Sequence, residues 1–421
     1  MGLFSNLFSR SSSGEPDHAQ RFLRGEDIDS DTANTTSGVN VTIPNALALT
    51  TVYACIRVIS QTMAMLPLIT YERVGDDGKR RAYNNPIHDL LKVRPNPEQT
   101  AFDWRSLMSV HQSMWGAGIS EIEFDRSGAP VALWPLPPWR VTPMRSASGA
   151  VFYRVLLDDG RSRDIPAYRT LVFRAMSTSA LEWMSPISQS RETIGYAKAL
   201  NAFGAKTFGQ GTNPAGIVRH PGRLREESEQ SLRKQFGDNY SGLGNSHRIM
   251  LLEDGMDFQR IGLPPEDAQY IESRSWTVAE LARIWNVPLH LLQDHSKATT
   301  WGSGLEELNL GYLTFTVQPI LEQWEQEIQR RLFSDNKYFA EFLTISLLRG
   351  RTSERYNAYV QARQNGWMSA NDIRRAENLN PIPADEGGDD YLVQLNMQKL
   401  STVGADENTS PNSEKNTPVA E

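Results

Sequence analysis

Residues 185–208, with the sequence SPISQSRETIGYAKALNAFGAKTF, predict a long helical stretch over Ile187–Phe208 that is unusually rich in small side chains. Ser185 is a favourable N-cap and Pro186 a favourable first helical residue. At about 1.5 Å per residue, the helix would be roughly 33 Å long. Its small residues are Gly195, Ala197, Ala199, Ala202, Gly204 and Ala205. Because an interior glycine costs about 1 kcal/mol relative to alanine, the pattern indicates neighbouring helices that approach closely. An ordinary core helix that tolerates two glycines is the alternative.

A compact module and a second long helix follow the first one. Residues 212–263 predict an insertion in which short strands accompany a charged helix. After two prolines, Pro264 and Pro265, the sequence predicts a second long helix over Glu266–Trp285. Two long helices therefore flank a small αβ module, and helices of this length rarely bury themselves within one chain. The arrangement indicates assembly.

A polar loop and a third long helix come next. His290–Gly304 is too long and too polar for a tight connection, and loops of this kind are often functional. The third helix is predicted over Leu305–Phe333, with a kink at Pro319. Two short helices, Thr352–Gln364 and Ser369–Asn378, are predicted near the C-terminal end.

The N-terminal part of the chain has a different pattern. A helix over Ala46–Met65 precedes a series of strands joined by turns, so residues 1–180 predict an α+β domain. Residues 5–45 and 401–421 contain too few apolar side chains to offset the entropy of ordering them. We expect both segments to be mobile.

The composition excludes several classes of protein. Forty-three Lys and Arg residues oppose fifty Asp and Glu residues, so the net charge of −7 is unlike that of a protein that coats nucleic acid. The single cysteine, Cys55, excludes intrachain disulfides and thiolate zinc sites. The longest apolar stretch, Val52–Tyr71, is interrupted by an arginine, a glutamine and a proline, and we expect no membrane span.

No motif predicts catalysis, a metal or a cofactor. The phosphate-binding loop, the dinucleotide fingerprint, the paired-histidine zinc helix and the nucleophile elbow are absent from the sequence. We therefore expect a protein that is not an enzyme and holds no cofactor. A soluble enzyme whose site is assembled from scattered residues is the alternative, and a monomer of about 47 kDa in solution would favour it. A sequence-specific DNA regulator is disfavoured, because its best recognition helix, Arg223–Lys234, carries three glutamates.

Six stretches in a specific order resemble the portal proteins of tailed bacteriophages, in the HK97-like portal family. These stretches are Ala46–Arg73, Asn85–Pro97, Trp115–Pro143, Asn213–Val218, Ala279–Leu292 and Gly366–Pro381. The resemblance covers the chain from about residue 45 to residue 395. It implies an α+β portal fold with an α+β wing, a two-helix stem, an inserted αβ clip, a long kinked wing helix and a small helical crown.

The resemblance also implies a division of the chain into parts. These are a flexible N-terminal arm (1–45), the first part of the wing (46–185), stem helix 1 (186–211), the clip (212–263), stem helix 2 (264–289), the tunnel loop (290–304), the wing helix and the segment after it (305–349), the crown (350–400) and a disordered tail (401–421).

The resemblance implies a ring of twelve subunits, or thirteen in isolation, at one capsid vertex. Double-stranded DNA would pass through the ring during packaging and ejection, without sequence preference. The implied partners are the large terminase subunit and a head-tail adaptor at the clip, and the major capsid protein and scaffold at the wing. The implied location is the virion, and the host cytoplasm during assembly, with no membrane partner.

The resemblance makes two groups of residues candidates for function. In the tunnel loop, Ser296, Lys297, Thr299 and Thr300 would face the DNA, and Lys297 is the only Lys or Arg of that loop. A solvated surface lysine is the alternative for Lys297. In the first stem helix, Gly195, Ala199 and Ala202 would lie where adjacent subunits meet. Neither stem helix carries a basic stripe, which suits a channel that must let DNA slide.

Overall fold

The computed structural model describes residues 35–75, 78–210, 216–219, 257–260, 266–294, 303–344, 352–377 and 379–392. The chain divides into two compact units, residues 1–344 and residues 345–421. The tail predicted over 401–421 and the first 34 residues of the predicted arm lie outside the described residues.

The first unit begins with two helices, α1 (Ile43–Ala46) and α2 (Thr50–Met65). Val52, Ile56 and Met63 recur at intervals of four and seven residues along α2 and are all buried, so they form its apolar stripe. Residues 35–45 were predicted to belong to the mobile arm, yet Val41 is buried and Thr42 caps α1. This stretch packs against the unit through distant parts of the chain, which its own composition does not reveal.

Eleven strands are described, and all of their pairings are antiparallel. Their bounds are β1 Leu68–Val74, β2 Gly78–Arg81, β3 Ala117–Phe124, β4 Pro130–Leu136, β5 Val141–Arg145, β6 Val151–Leu156, β7 Ser162–Pro166, β8 Thr170–Arg174, β9 Gly216–Arg219, β10 Asp257–Arg260 and β11 Tyr338–Phe342. Within the described residues they form four small sheets, with the orders β11-β1-β2, β10-β9, β4-β3-β8 and β5-β6-β7. Small sheets beside long helices confirm the predicted α+β class.

Two further helices, α3 (Pro86–Lys92) and α4 (Ala101–Trp115), complete the core around the sheets. α4 ends at Gly116, whose φ of 87° lies in the left-handed region that favours glycine. Trp104 of α4 lies edge-on to Phe173 and Trp324, and these last two rings stack with centroids 3.9 Å apart. These three buried rings join α4 to strand β8, which carries Phe173, and to the helix Gln318–Leu332, which carries Trp324.

The first predicted long helix is two helices in the structure. α5 (Pro186–Gln189) is followed by α6 (Arg191–Gln210), and Ser190 between them has φ −106° and ψ 23°, outside the helical region. The second long helix, α7 (Glu266–Ile284), follows the prediction closely.

The third predicted helix consists of three segments. α8 (Ser303–Tyr312) passes into a π-helical turn over Leu313–Val317, and α9 (Gln318–Leu332) continues from there. Pro319 lies in the first turn of α9. In an α-helix the proline ring would clash with the carbonyl of residue 315, four positions earlier, and a wider turn before Pro319 relieves that clash.

The second unit contains α10 (Thr352–Gln364) and α11 (Ala370–Ala376). A capping box begins α11, since the Ser369 hydroxyl accepts from the Asp372 amide and the Asp372 carboxylate accepts from the Ser369 amide. Asn371 is buried, donates to the Ile382 carbonyl at 2.8 Å and accepts from the Ile382 amide at 2.7 Å. This side chain ties α11 to the segment that follows it.

Candidate functional site

Helices α6 and α7, the two expected to form a stem, pack side by side within the chain. Phe203 and Tyr270 have ring centroids 6.1 Å apart, and Tyr196 and Trp276 form an edge-on pair at 6.3 Å. A Cβ atom at Gly204 would overlap the Tyr270 side chain. The prediction that small residues of this helix permit a close approach is therefore correct for Gly204, and the neighbour is the second helix of the same chain.

Gly195 has a neighbour that the sequence did not indicate. A Cβ atom at this position would lie 2.6 Å from Oγ1 of Thr35, which is buried against α6. The Thr36 amide donates to the Glu192 carboxylate at 3.1 Å, and Lys198 lies 3.5 Å from the Asn40 carbonyl. Gly195 therefore accommodates residues 35–40 of its own chain, and its contact with an adjacent subunit stays a prediction.

The other two predicted contact residues have different surroundings. Ala199 is half-buried and Ala202 is exposed, so both keep surface available on α6. Large apolar side chains are exposed nearby on both helices, namely Tyr196, Phe203, Ile271 and Trp276. Lys198 is partly covered, and burial lowers the pKa of its ammonium group.

The ends of the predicted tunnel loop are held together although its centre is not described. Ser296, Lys297, Thr299 and Thr300 lie outside the described residues. Before them, Leu289–Leu292 forms a short 3₁₀ helix. His290 in this turn hydrogen bonds through Nε2 to Oδ1 of Asn309 on α8 at 3.0 Å. His290, the first residue of the loop, is therefore joined by a hydrogen bond to α8, the helix that follows the loop.

At the end of α7, backbone amides after the helix hydrogen bond to its last carbonyl groups. Asn286 adopts the left-handed region with φ 52°, and the Val287 amide donates back to the Ala282 carbonyl at 3.1 Å. This is the Schellman arrangement, in which asparagine substitutes for the more common glycine. Pro288 follows and prevents the helix from continuing.

Asn286 also links α7 to the π turn. Its Nδ2 donates to Oγ1 of Thr316 at 3.0 Å, and the Thr316 hydroxyl donates back to the Asn286 carbonyl at 2.7 Å. The Phe315 carbonyl, which has no N–H to meet at Pro319, accepts from the same Nδ2 at 3.4 Å. The sequence interpretation missed Asn286 and Thr316. The one local signal was an Asn-Val-Pro sequence after a helical pattern.

The single cysteine, Cys55, and the histidine His111 are both buried. Burial raises the pKa of the Cys55 thiol to about 12, so this cysteine is held as the unreactive thiol. Burial lowers the pKa of His111 to about 3. In the ranges that the structure describes, there is no group of three or more His, Cys, Asp or Glu side chains that could hold a metal ion. Over those same ranges, no helix has both the length and the apolar character needed to cross a membrane.

Residues 50–378 match the family model described as phage portal protein. The chain belongs to this family, and the resemblance to its HK97-like members is confirmed.

Two relatives are similar over most of the chain. A probable portal protein of Streptomyces phage phiC31 is 31% identical, with 95% of this chain and 90% of that protein covered. The portal protein of Enterobacteria phage HK97 is 29% identical, with 85% and 84% covered.

Solved structures share the fold at lower identity. The neck of an empty gene transfer agent particle matches with a TM-score of 0.60 at 21% identity, covering 87% of this chain and 95% of that one. An HK97-family portal protein from Corynebacterium diphtheriae matches with a TM-score of 0.51 at 18% identity, covering 74% and 97%.

Proposed function

We propose that twelve copies of this chain form the portal ring at one vertex of a tailed-phage capsid. DNA enters the head through this ring during packaging and leaves through it during ejection. The number twelve is consistent with a similar fold in a gene transfer agent neck that was computed with C12 symmetry. The chain then belongs to the virion, after a period of assembly in the host cytoplasm.

The observation that carries the proposal is the apolar surface of α6 and α7. Tyr196, Phe203, Ile271 and Trp276 are all exposed in the single chain, although large apolar patches are rare on monomers. A closed ring would cover such side chains with the next copy. Ala199 and Ala202 lie on the same helix, and we assign them to the contact between neighbouring helix pairs.

The DNA contact is assigned to the loop whose ends His290 and Asn309 hold together. Ser296, Lys297, Thr299 and Thr300 offer one positive charge and three hydroxyl groups per subunit. Such groups meet phosphates and read no base edges, so the contact is without sequence preference. The mixed charges of the two long helices suit a channel that does not grip its DNA.

The remaining partners are assigned to parts of the chain by the family resemblance. The large terminase subunit and the head-tail adaptor would bind in turn at the clip, residues 212–263. The major capsid protein and the scaffold would contact the wing, residues 46–185 and 305–349.

The test is the mass and the shape of the purified full chain. Twelve chains of 47.3 kDa give a particle of about 570 kDa, with an axial hole in electron micrographs. A ring of thirteen would still support the proposal. Monomers or two-fold dimers at micromolar concentration would overturn it.

A further inference from the structure

Helix α10 of the second unit has an exposed apolar stripe beside its packed side. Tyr356, Val360 and Arg363 follow at intervals of four and three residues, so they lie along one side of the helix. Tyr356 is 49% exposed and Val360 is 52% exposed, whereas Ala362 on the adjoining side is buried. The two apolar side chains therefore lie between Arg363 and the start of the helix, on a line that faces solvent.

The last residues that the structure describes in this unit are held against the same stripe. Arg363 donates through Nη1 to the Asp390 carbonyl at 2.6 Å. The Tyr391 hydroxyl donates to Oδ2 of Asp372 on α11 at 3.2 Å. The chain is therefore fixed to both helices just before residue 393, and the next segment starts about one helical turn from the exposed side chains.

The segment that follows has the pattern and the length of a matching helix. Residues 393–400 have the sequence VQLNMQKL, in which Val393, Met397 and Leu400 recur at intervals of four and three residues. Eight helical residues span about 12 Å, and the stripe on α10 spans about 10 Å. Because isolated helices shorter than about 12–15 residues are marginal in water, such a helix needs a surface that covers its apolar side.

We propose that residues 393–400 form a short helix that packs antiparallel on α10 of the same chain, with Met397 over Val360 and Leu400 over Tyr356. The direction follows from the attachment at Arg363, because the exposed apolar side chains lie towards the start of α10. The outer side of the new helix then carries Gln394, Gln398 and Lys399, with Leu395 as its one apolar residue. The contact lies within one chain, so it does not depend on the proposed ring.

Paired cysteines in the full chain test this contact. The native cysteine, Cys55, is buried and held as the thiol, so it does not interfere. Val360→Cys combined with Met397→Cys should form a disulfide within one chain under mild oxidation. The control pair is Ala358→Cys with Met397→Cys, because Ala358 is exposed on the opposite side of α10.

We expect the first pair to form its disulfide about tenfold faster than the control pair, because two Cα atoms more than about 7 Å apart cannot be bridged without backbone movement. Non-reducing gels and the masses of the linked peptides measure the products. Equal rates for the two pairs would overturn the proposal. A product of twice the chain mass would show that a second copy covers the stripe, and it would overturn the proposal as well.

Hydrogen exchange tests the contact without new thiols. Relative to their intrinsic rates, the amides of residues 397–400 should exchange about tenfold more slowly than those of residues 401–421. Val360→Asp puts a charge into the contact and should abolish this protection, while the amides of α10 stay protected. Val131→Asp is the control, because Val131 is 50% exposed and lies on β4 in the first unit.

Two results would contradict the proposal. Amides 397–400 that exchange as fast as those of residues 401–421 in the unchanged chain would show that no helix packs there. Protection that survives Val360→Asp would show that the segment folds against a different surface.

Discussion

Asn286 and Thr316 exchange two hydrogen bonds across the junction between α7 and the π turn, at 3.0 Å and 2.7 Å. One residue ends a long helix in the left-handed conformation, and the other lies where the next long helix widens. The loop assigned to the DNA lies between them in sequence. A movement of the residues that flank this loop must therefore either move both helices together or break the hydrogen bonds between Asn286 and Thr316.

Two variants of Asn286 separate its backbone role from its hydrogen bonds. Asn286→Gly keeps the left-handed conformation and loses the side-chain bonds, so the free energy of unfolding should fall by about 1 kcal/mol. Asn286→Ala adds a conformational penalty, and the loss should reach about 2 kcal/mol. Urea unfolding of the purified protein measures both. Adding Thr316→Val to Asn286→Gly should cost less than the two single effects summed, and strict additivity would contradict the pairing.

Lys297→Ala tests the proposed DNA contact. The change removes one positive charge from each subunit at the centre of a polar loop, so rings should form normally. Packaging efficiency or retention of the full genome should fall, without any change in sequence preference, because phosphate contacts do not read bases. Lys92→Ala is the control, since Lys92 is an exposed lysine at the end of α3. Unchanged packaging, together with a ring map that places residue 297 on the outer surface, would contradict the assignment.

Glu325 makes stability depend on pH. Burial raises the pKa of this carboxyl to about 7, and Glu322 and Glu341 raise it further, whereas the Phe342 amide and Lys79 act in the opposite direction. The folded state therefore holds a proton that the unfolded chain releases near pH 4.5. The associated stability is present below that pH and is lost as the pH rises through about 7.

Glu325→Gln should remove this dependence. The amide oxygen can still accept from the Phe342 amide, which donates to the carboxylate at 2.7 Å. Relative to the unchanged chain, we expect the variant to be about 1 kcal/mol more stable at pH 8, a figure reduced for solvent screening of a half-buried group. Little difference should remain at pH 5. Thermal unfolding at both pH values measures the difference in stability between the variant and the unchanged chain. A difference that is the same at pH 5 and at pH 8 would contradict the prediction.

Arg105 holds the ends of two helices. Its guanidinium is buried and donates to the Ala64 carbonyl at 2.8 Å, in the last turn of α2, and to the Leu91 carbonyl at 3.0 Å, in the last turn of α3. Burial lowers the pKa of Arg105 to about 10, and the negative ends of two helix dipoles favour its charge.

Arg105→Met should therefore be strongly destabilising. It leaves carbonyl groups of two helices unpaired, and we expect a loss of about 2–4 kcal/mol in the free energy of unfolding. Arg105→Lys keeps the charge, but its single ammonium group lacks the planar guanidinium that donates to both helices. We therefore expect it to recover only part of the lost free energy of unfolding. Denaturant unfolding compares the three proteins. Equal stability of Arg105→Met and the unchanged chain would exclude the capping role.

Local features of the fold could be predicted because they depend on adjacent residues. The apolar stripe of α2, the end of α4 at Gly116 and the capping box at Ser369 and Asp372 all have signals within four positions. The widening before Pro319 could be predicted as a kink but not as a π turn, because its form depends on the contact with Asn286.

The contacts that define the candidate site involve residues distant in sequence. Thr316 meets Asn286 from 30 positions away, and Arg105 meets Ala64 from 41 positions away. A small residue such as Gly195 predicts a close neighbour, but its neighbour could not be read from α6 itself. Only the folded structure shows that Thr35 of the same chain lies against Gly195.

The contact of residues 35–40 with α6 also sets an order of events in folding. Thr36 and Glu192 are separated by 156 positions. At a synthesis rate of about 5–20 residues per second, the early segment waits on the order of 10 s before its helix exists. Throughout that time, Thr35 and Thr36 lack their partners on α6, Gly195 and Glu192. A nascent chain therefore exposes this segment until α6 has been made, and the first unit is completed only later, when β11 becomes available to pair with β1.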